Sequence, residues 1–302
     1  MSQSNTAVIT EDELKKILRG ISIPSPPQLL ADLQMELMMP APELSVIAKM
    51  INEDVGLAGG VIKILRTPFY GLNEEEDLSV TQAVLMLGMN SVLNIVNSLC
   101  LRAEICNEKL SKEMAVFLNR FWDGASDVAV AAATIAKVTG RVPPDRAYLM
   151  GLFSNAGIAL MAQRYENYPE VIKEAYLCNE KRIVDTENKY YKTNHAVLGY
   201  YIAKSWHLPK LITEVIGKHH SCAELFSATN VKESNQLDLL AILKLAEHFS
   251  GAYKIVSQQE VDCEWEQIGE DVLLYLKMTA SDYDDLKDDL EDLGLGEQSY
   301  AM

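Results

Sequence analysis

The chain has 302 residues, 48% of them hydrophobic, with 43 acidic and 27 basic side chains and a formal net charge of −16. So acidic a surface repels phosphate backbones, which argues against nucleic acid as a partner. The apolar content is enough for a large core with a smaller unit packed on it. The five cysteines, Cys100, Cys106, Cys178, Cys222 and Cys263, are odd in number and form no C-x-x-C pair. Neither a disulfide framework nor a structural zinc site is expected from them, and a reducing cytoplasm suits them. The first sixteen residues lack a basic start followed by an apolar run, so no signal peptide is expected. No segment reads as long and apolar enough to span a bilayer, so no membrane partner is expected.

In chain order, Thr10 to Glu13 reads T-x-x-E, a capping box that opens a short helix through Leu18. Pro24, Pro26 and Pro27 break the chain, and a helix is predicted over 28–37. Pro42 suits the first turn of the next helix, running to about Asn52, with Leu44, Ile47, Ala48 and Ile51 on one face. A helix over 54–65 contains Gly56, Gly59 and Gly60, small residues that let a second helix come close. They make no phosphate loop, since no G-x-x-x-x-G-K occurs. Ser79 to Gln82 is a second capping box, and its helix stops at Gly88. Another follows, carrying Val92, Ile95, Val96 and Leu99. Ser111 caps a long helix to Val138, ended by Gly140.

Residues 147–162, AYLMGLFSNAGIALMA, are apolar all round, the mark of a buried helix. Pro143, Pro144 and Asp145 suit its start. Ser154 and Asn155 interrupt it as an adjacent polar pair that needs hydrogen-bond partners. Asn194 can cap a helix from His195 to Trp206, Pro209 begins one through His219, and 237–253 reads as another. The last helix, over 281–292, is acidic with a stripe of Tyr283, Leu286, Leu290 and Leu293. That stripe either docks on the core or meets a partner.

Residues 52–96 carry an ordered set of motifs: Asp54 with Gly56-Leu57, Pro68-Phe69-Tyr70-Gly71, Ser79-Val80 with Ala83, and Leu87-Gly88. In this the chain resembles the HDOD family, relatives of the HD and HD-GYP metal-dependent phosphohydrolases. Val55 and Arg66-Thr67 depart from the usual pattern. The resemblance implies an all-α, HD-domain-like helical bundle with additional N-terminal helices and a smaller helical C-terminal extension. It divides the chain into an N-terminal helix (1–20), the HDOD domain (21–220) and an extension with an acidic end (221–302).

The resemblance also places the HD ligand positions. The first His falls at Ala125, the His-Asp pair at Ser154-Asn155, the later histidines at His195 and at His219 or His220, and the last Asp at Glu247. A dinuclear site needs an anionic carboxylate between its cations. Ala125 has no donor atom, and Ser154 and Asn155 are neutral. The expectation is therefore a relict pocket of Ala125, Ser154, Asn155, His195, His219, His220 and Glu247, with no catalytic residue and no cofactor. A divalent metal on His195, His220 and Glu247 is the alternative. The family implies a regulatory, signal-transducing protein of bacteria, acting on signalling partners by protein–protein contact. The competing function is a phosphodiesterase-like, metal-dependent phosphohydrolase with an altered site. His219 and His220, near a helix C-terminus, would suit the helix dipole if protonated.

Overall fold

A computed structural model describes residues 18–65, 79–106, 110–226 and 233–296. Among these the chain is helical throughout, with no strand. In order the helices are α1 (Gln28–Leu37), α2 (Leu44–Asn52), α3 (Val55–Leu65), α4 (Val80–Ile105), α5 (Lys112–Thr139), α6 (Pro144–Phe153), α7 (Ala156–Arg164) and α8 (Tyr168–Ala175). They continue as α9 (Ile183–Tyr191), α10 (His195–Ser205), α11 (Lys210–Ile216), α12 (Cys222–Phe226), α13 (Asn235–Ser250), α14 (Ala252–Ser257), α15 (Cys263–Leu276) and α16 (Ala280–Asp292). The Thr10 capping box and the Pro68-Phe69-Tyr70-Gly71 motif lie outside the described residues.

Local chemistry accounts for many helix ends. The Ser79 side chain accepts from the Gln82 amide while Gln82 Oε1 accepts from the Ser79 amide, the reciprocal capping box expected there. Ser111 caps α5 and a left-handed Gly140 ends it. Gly88 leaves the helical region at φ 74°, ψ 164°, so α4 is two helices joined at a bend. Contrary to the sequence expectation, α4 is long and apolar enough, by length and composition, to cross a membrane. Its bend divides it, and Val92, Ile95, Val96 and Leu101 are buried in the protein's own core. A Cβ on Gly60 would fall 2.6 Å from Leu99 Cδ1, so this glycine does let α4 approach α3.

The sequence differs from the structure in three further places. The apolar run 147–162 is not one helix. It breaks at Ser154 and Asn155 into α6 and α7, because Asn155 takes up a non-helical φ of −104° and ψ of 11°. The predicted helix 237–253 stops at Ser250, where left-handed Gly251 turns the chain into α14. And Cys178 and Cys263 are disulfide-bonded, with Cα atoms 6.1 Å apart, against the expectation of no disulfide. Their partnership spans 85 residues, which no local spacing reveals.

The core centres on α5, α6 and α13. Alanines 129, 131, 132, 133 and 136 of α5 are buried and let α6 and α13 lie close against it. On α16, Leu286 and Leu290 are 1% exposed, and Tyr283 and Leu293 pack at their edge. The acidic helix therefore spends its apolar stripe on the core and does not offer it to a partner.

Candidate functional site

The break between α6 and α7 is what opens the site. Ser154 is fully buried, and its hydroxyl donates to the Gly151 carbonyl at 3.1 Å. Asn155 turns into a pocket whose wall includes Ala125, Tyr176, Lys244, Glu247, Glu264 and Trp265. Two residues on, Gly157 sets the spacing. A Cβ there would collide with the His195 carbonyl and come within 2.9 Å of the Gly199 amide nitrogen. Only glycine lets α10 lie so close to α7, and this brings His195, the first residue of α10, beside the Asn155 corner. The Asn194 carboxamide caps that helix by accepting from the Val197 amide at 3.0 Å.

The site has two halves, of which the second lines the pocket. In the first, the His195 ring Nδ1 lies 2.6 Å from Glu187 Oε2, with both side chains fully buried. Glu187 Oε1 also accepts from the Tyr168 hydroxyl at 2.7 Å and from the His195 backbone amide at 3.2 Å. His219 Nδ1 lies 2.6 Å from the Ile216 carbonyl, and His220 Nδ1 lies 2.8 Å from Glu264 Oε1. One ring nitrogen from each of His195, His219 and His220 comes within 4.8 Å of those of the other two. Burial, then neighbouring imidazoles and the Lys244 charge, push His219 well below the usual histidine range. Burial followed by Lys244 does the same to His220. Both rings are neutral at pH 7, so the dipole stabilisation expected for protonated rings does not operate.

The second half is built on α13 and α15. Lys244, 3% exposed, donates to Glu247 Oε2 at 2.7 Å and to Glu264 Oε2 at 2.8 Å. Burial alone would favour the neutral amine. Glu247 and Glu264 outweigh it and hold the ammonium well above the ordinary lysine value. Burial raises Glu247 above the usual carboxylate range against the pull of Lys244. Glu247 Oε1 accepts from the Asn155 amide at 2.9 Å, and Asn155 Oδ1 lies 3.2 Å from His219 Nε2. Asn155 is thus the bridge between the halves.

The structure brings Asn155, His195, His219, His220 and Glu247 into one network, with Ala125 on the pocket wall and Ser154 turned back to its own helix. The ring nitrogens that converge are those of His195, His219 and His220, while Glu247 faces Lys244 and Asn155. Sequence reasoning missed Glu187, Lys244 and Glu264. A signal existed for one of them: Lys244 is the sole basic residue in the apolar run 239–246, and a charge buried that deeply needs partners. Glu187 sits in a polar stretch and Glu264 at the start of an unremarked helix, and neither stands out.

These donors do not fit a two-ion centre. Ala125 offers nothing, Ser154 and Asn155 bring no negative charge, and the carboxylates Glu247 and Glu264 are already bridged by an ammonium. The three imidazoles do fit a single ion, since their ring nitrogens converge and two of the three rings are anchored from behind by carboxylates.

Residues 23–222 match the HDOD domain, and the chain belongs to that family. A curated relative, an uncharacterized protein of Treponema pallidum (strain Nichols), is 26% identical over 209 residues, which is 66% of this chain. The chain spans only 38% of the length of that relative. Among solved structures, one from Shewanella amazonensis SB2B, named provisionally as a metal-dependent phosphohydrolase, superposes with a TM-score of 0.63 at 17% identity, covering 92% of this chain and 96% of that one. One from Marinobacter aquaeolei VT8, named provisionally as a signal transduction protein, gives 0.58 at 16% identity, covering 94% and 65%. At these identities the likeness is one of fold. The same fold carries both names, so the side chains in the pocket have to distinguish them.

Proposed function

We propose that this chain is a regulatory protein of signal transduction that works by contact with other proteins and does not hydrolyse phosphoesters. One observation carries the reading: the buried Lys244 ammonium sits between Glu247 and Glu264, beside Asn155, where hydrolysis would need cations between carboxylates. An ammonium cannot lower the pKa of a bound water as a divalent metal does, so no nucleophile forms there. The surface agrees with a role in contact. On the first four helices, and in the turn after α1, Met35, Met38, Met39, Val55, Leu85 and Met86 stand exposed, and flexible methionine side chains adapt to partner surfaces. The partners are bacterial signalling proteins.

The test is an assay of the full chain on nucleotide and cyclic-dinucleotide substrates with magnesium and manganese, alongside co-purification with its host's signalling proteins. No turnover, with a partner lost on Met38→Glu or Val55→Glu, is the expected result. The second reading, a phosphohydrolase with an altered site, draws on the convergent histidines. Turnover that disappears in His195→Ala would establish it and end the first.

A further inference from the structure

The partners of the three rings dictate where their protons sit. His219 Nδ1 faces the Ile216 carbonyl at 2.6 Å, and a carbonyl only accepts, so this nitrogen carries hydrogen. His195 Nδ1 faces Glu187, whose other oxygen already takes two donors, as a carboxylate does. His220 Nδ1 faces Glu264, whose other oxygen takes the Lys244 ammonium. In a ring that carries a single proton there, the second nitrogen, Nε2, is a bare lone pair. Yet His195 Nε2 and His220 Nε2 lie 2.9 Å apart. The third, His219 Nε2, lies 3.2 Å from Asn155 Oδ1, the acceptor end of a carboxamide whose donor end is committed to Glu247. Two acceptor-to-acceptor contacts in a buried place are repulsive unless a positive centre lies among them.

We propose that His195, His219 and His220 bind one divalent transition-metal ion through their Nε2 atoms, with the Asn155 carbonyl oxygen beside it. Metal-bound imidazoles characteristically give the far N–H to a carboxylate or backbone carbonyl, and all three rings here do so, to Glu187, Ile216 and Glu264. Three imidazoles select borderline ions such as zinc, cobalt or nickel, while magnesium and calcium require a shell of oxygen ligands that one amide oxygen does not supply. The ion is single, because the place beside it already holds the Lys244 charge. Its role is to organise: it ties the start of α10 to the turn after α11. That role needs no hydrolysis and holds whether or not the protein is regulatory.

The experiment uses the full chain, purified without chelator, then stripped and titrated with cobalt(II). One equivalent bound tighter than about 100 μM, with the visible absorption of a low-symmetry cobalt–imidazole site and a raised melting temperature, is the expected result. Magnesium at millimolar concentration should produce none of these. Glu187→Gln should keep the stoichiometry of one and weaken binding about 10- to 100-fold, the effect of losing an anchoring carboxylate. His195→Asn and His219→Asn should abolish it. The wild-type titration decides the question by itself if those variants fail to fold. Absence of an equivalent in that titration, nitrogen NMR showing a doubly protonated ring in its place, or cobalt retained in folded His219→Asn would each overturn the proposal.

Discussion

On the α9–α11 side of the site three imidazole rings turn nitrogens toward one another, anchored from behind by Glu187, Ile216 and Glu264. On the α13–α15 side an ammonium fills the space between two carboxylates. The first half is short of positive charge, and the second supplies its own. A cation tethered to the backbone cannot be chelated away or exchanged, nor can it activate water. The halves meet at Asn155, whose carboxamide touches Glu247 with one end and His219 with the other. An aspartate there would add charge to both. The neutral amide is consistent with a pocket in which only one place is open to an external ion.

The comparison can be broken most forcefully at Lys244. Lys244→Met should cost about 3–5 kcal/mol in denaturant unfolding, because it strands two buried carboxylates. A loss under about 1 kcal/mol would mean that water reaches Glu247 and Glu264, and that the second half is not self-sufficient. Acid comes next. Folded His219 and His220 resist protonation, whereas their unfolded counterparts take up protons as the pH falls past about 6.5. The unfolded state then binds more protons, so stability present above that pH is lost below it, by up to about 1.4 kcal/mol per pH unit for each ring. Glu247, raised in the folded state, takes its proton before the unfolded chain does and makes the slope shallower toward pH 4.5. Urea unfolding of metal-free protein at pH 8 and pH 5.5 measures the difference, and a flat profile would show that the rings are not neutral when folded.

Smaller effects sharpen the contrast. Glu187→Gln removes the charge that holds the His195 ring and the Tyr168 hydroxyl, and should destabilise the metal-free chain by about 1–3 kcal/mol in the same assay. Asn155→Asp places a second carboxylate against Glu247. Repulsion and the attraction of Lys244 are of similar size, so a net loss of about 1 kcal/mol is expected, with no gain of phosphodiesterase activity. If that one substitution restored turnover, the ammonium would not be the block.

How much of this was legible beforehand differed by element. The fold was, because a capping box at Ser79, a serine cap at Ser111 and a stop at Gly140 are local signals, and the motifs over 52–96 are ordered. The histidines and Asn155 could be placed through the family resemblance. The α6–α7 break was hidden, since both flanks are equally apolar and only the polar pair marks it. Glu187 and Glu264 were hidden for another reason: their roles depend on partners 8 and 44 residues away, at His195 and His220. Lys244 could have been read, since an isolated charge in an apolar helix calls for counter-charges. The same distance problem concealed the Cys178–Cys263 bond.

That bond has a topological consequence. Positions 187, 195, 219, 220, 244 and 247 all fall between the two bridged cysteines, inside one covalent ring of chain. Unfolding the oxidised protein therefore disperses these groups only as far as the lasso allows. Reducing the bridge should widen that dispersal and slow the recovery of the pocket more than it slows recovery of the first four helices, which lie wholly outside the loop.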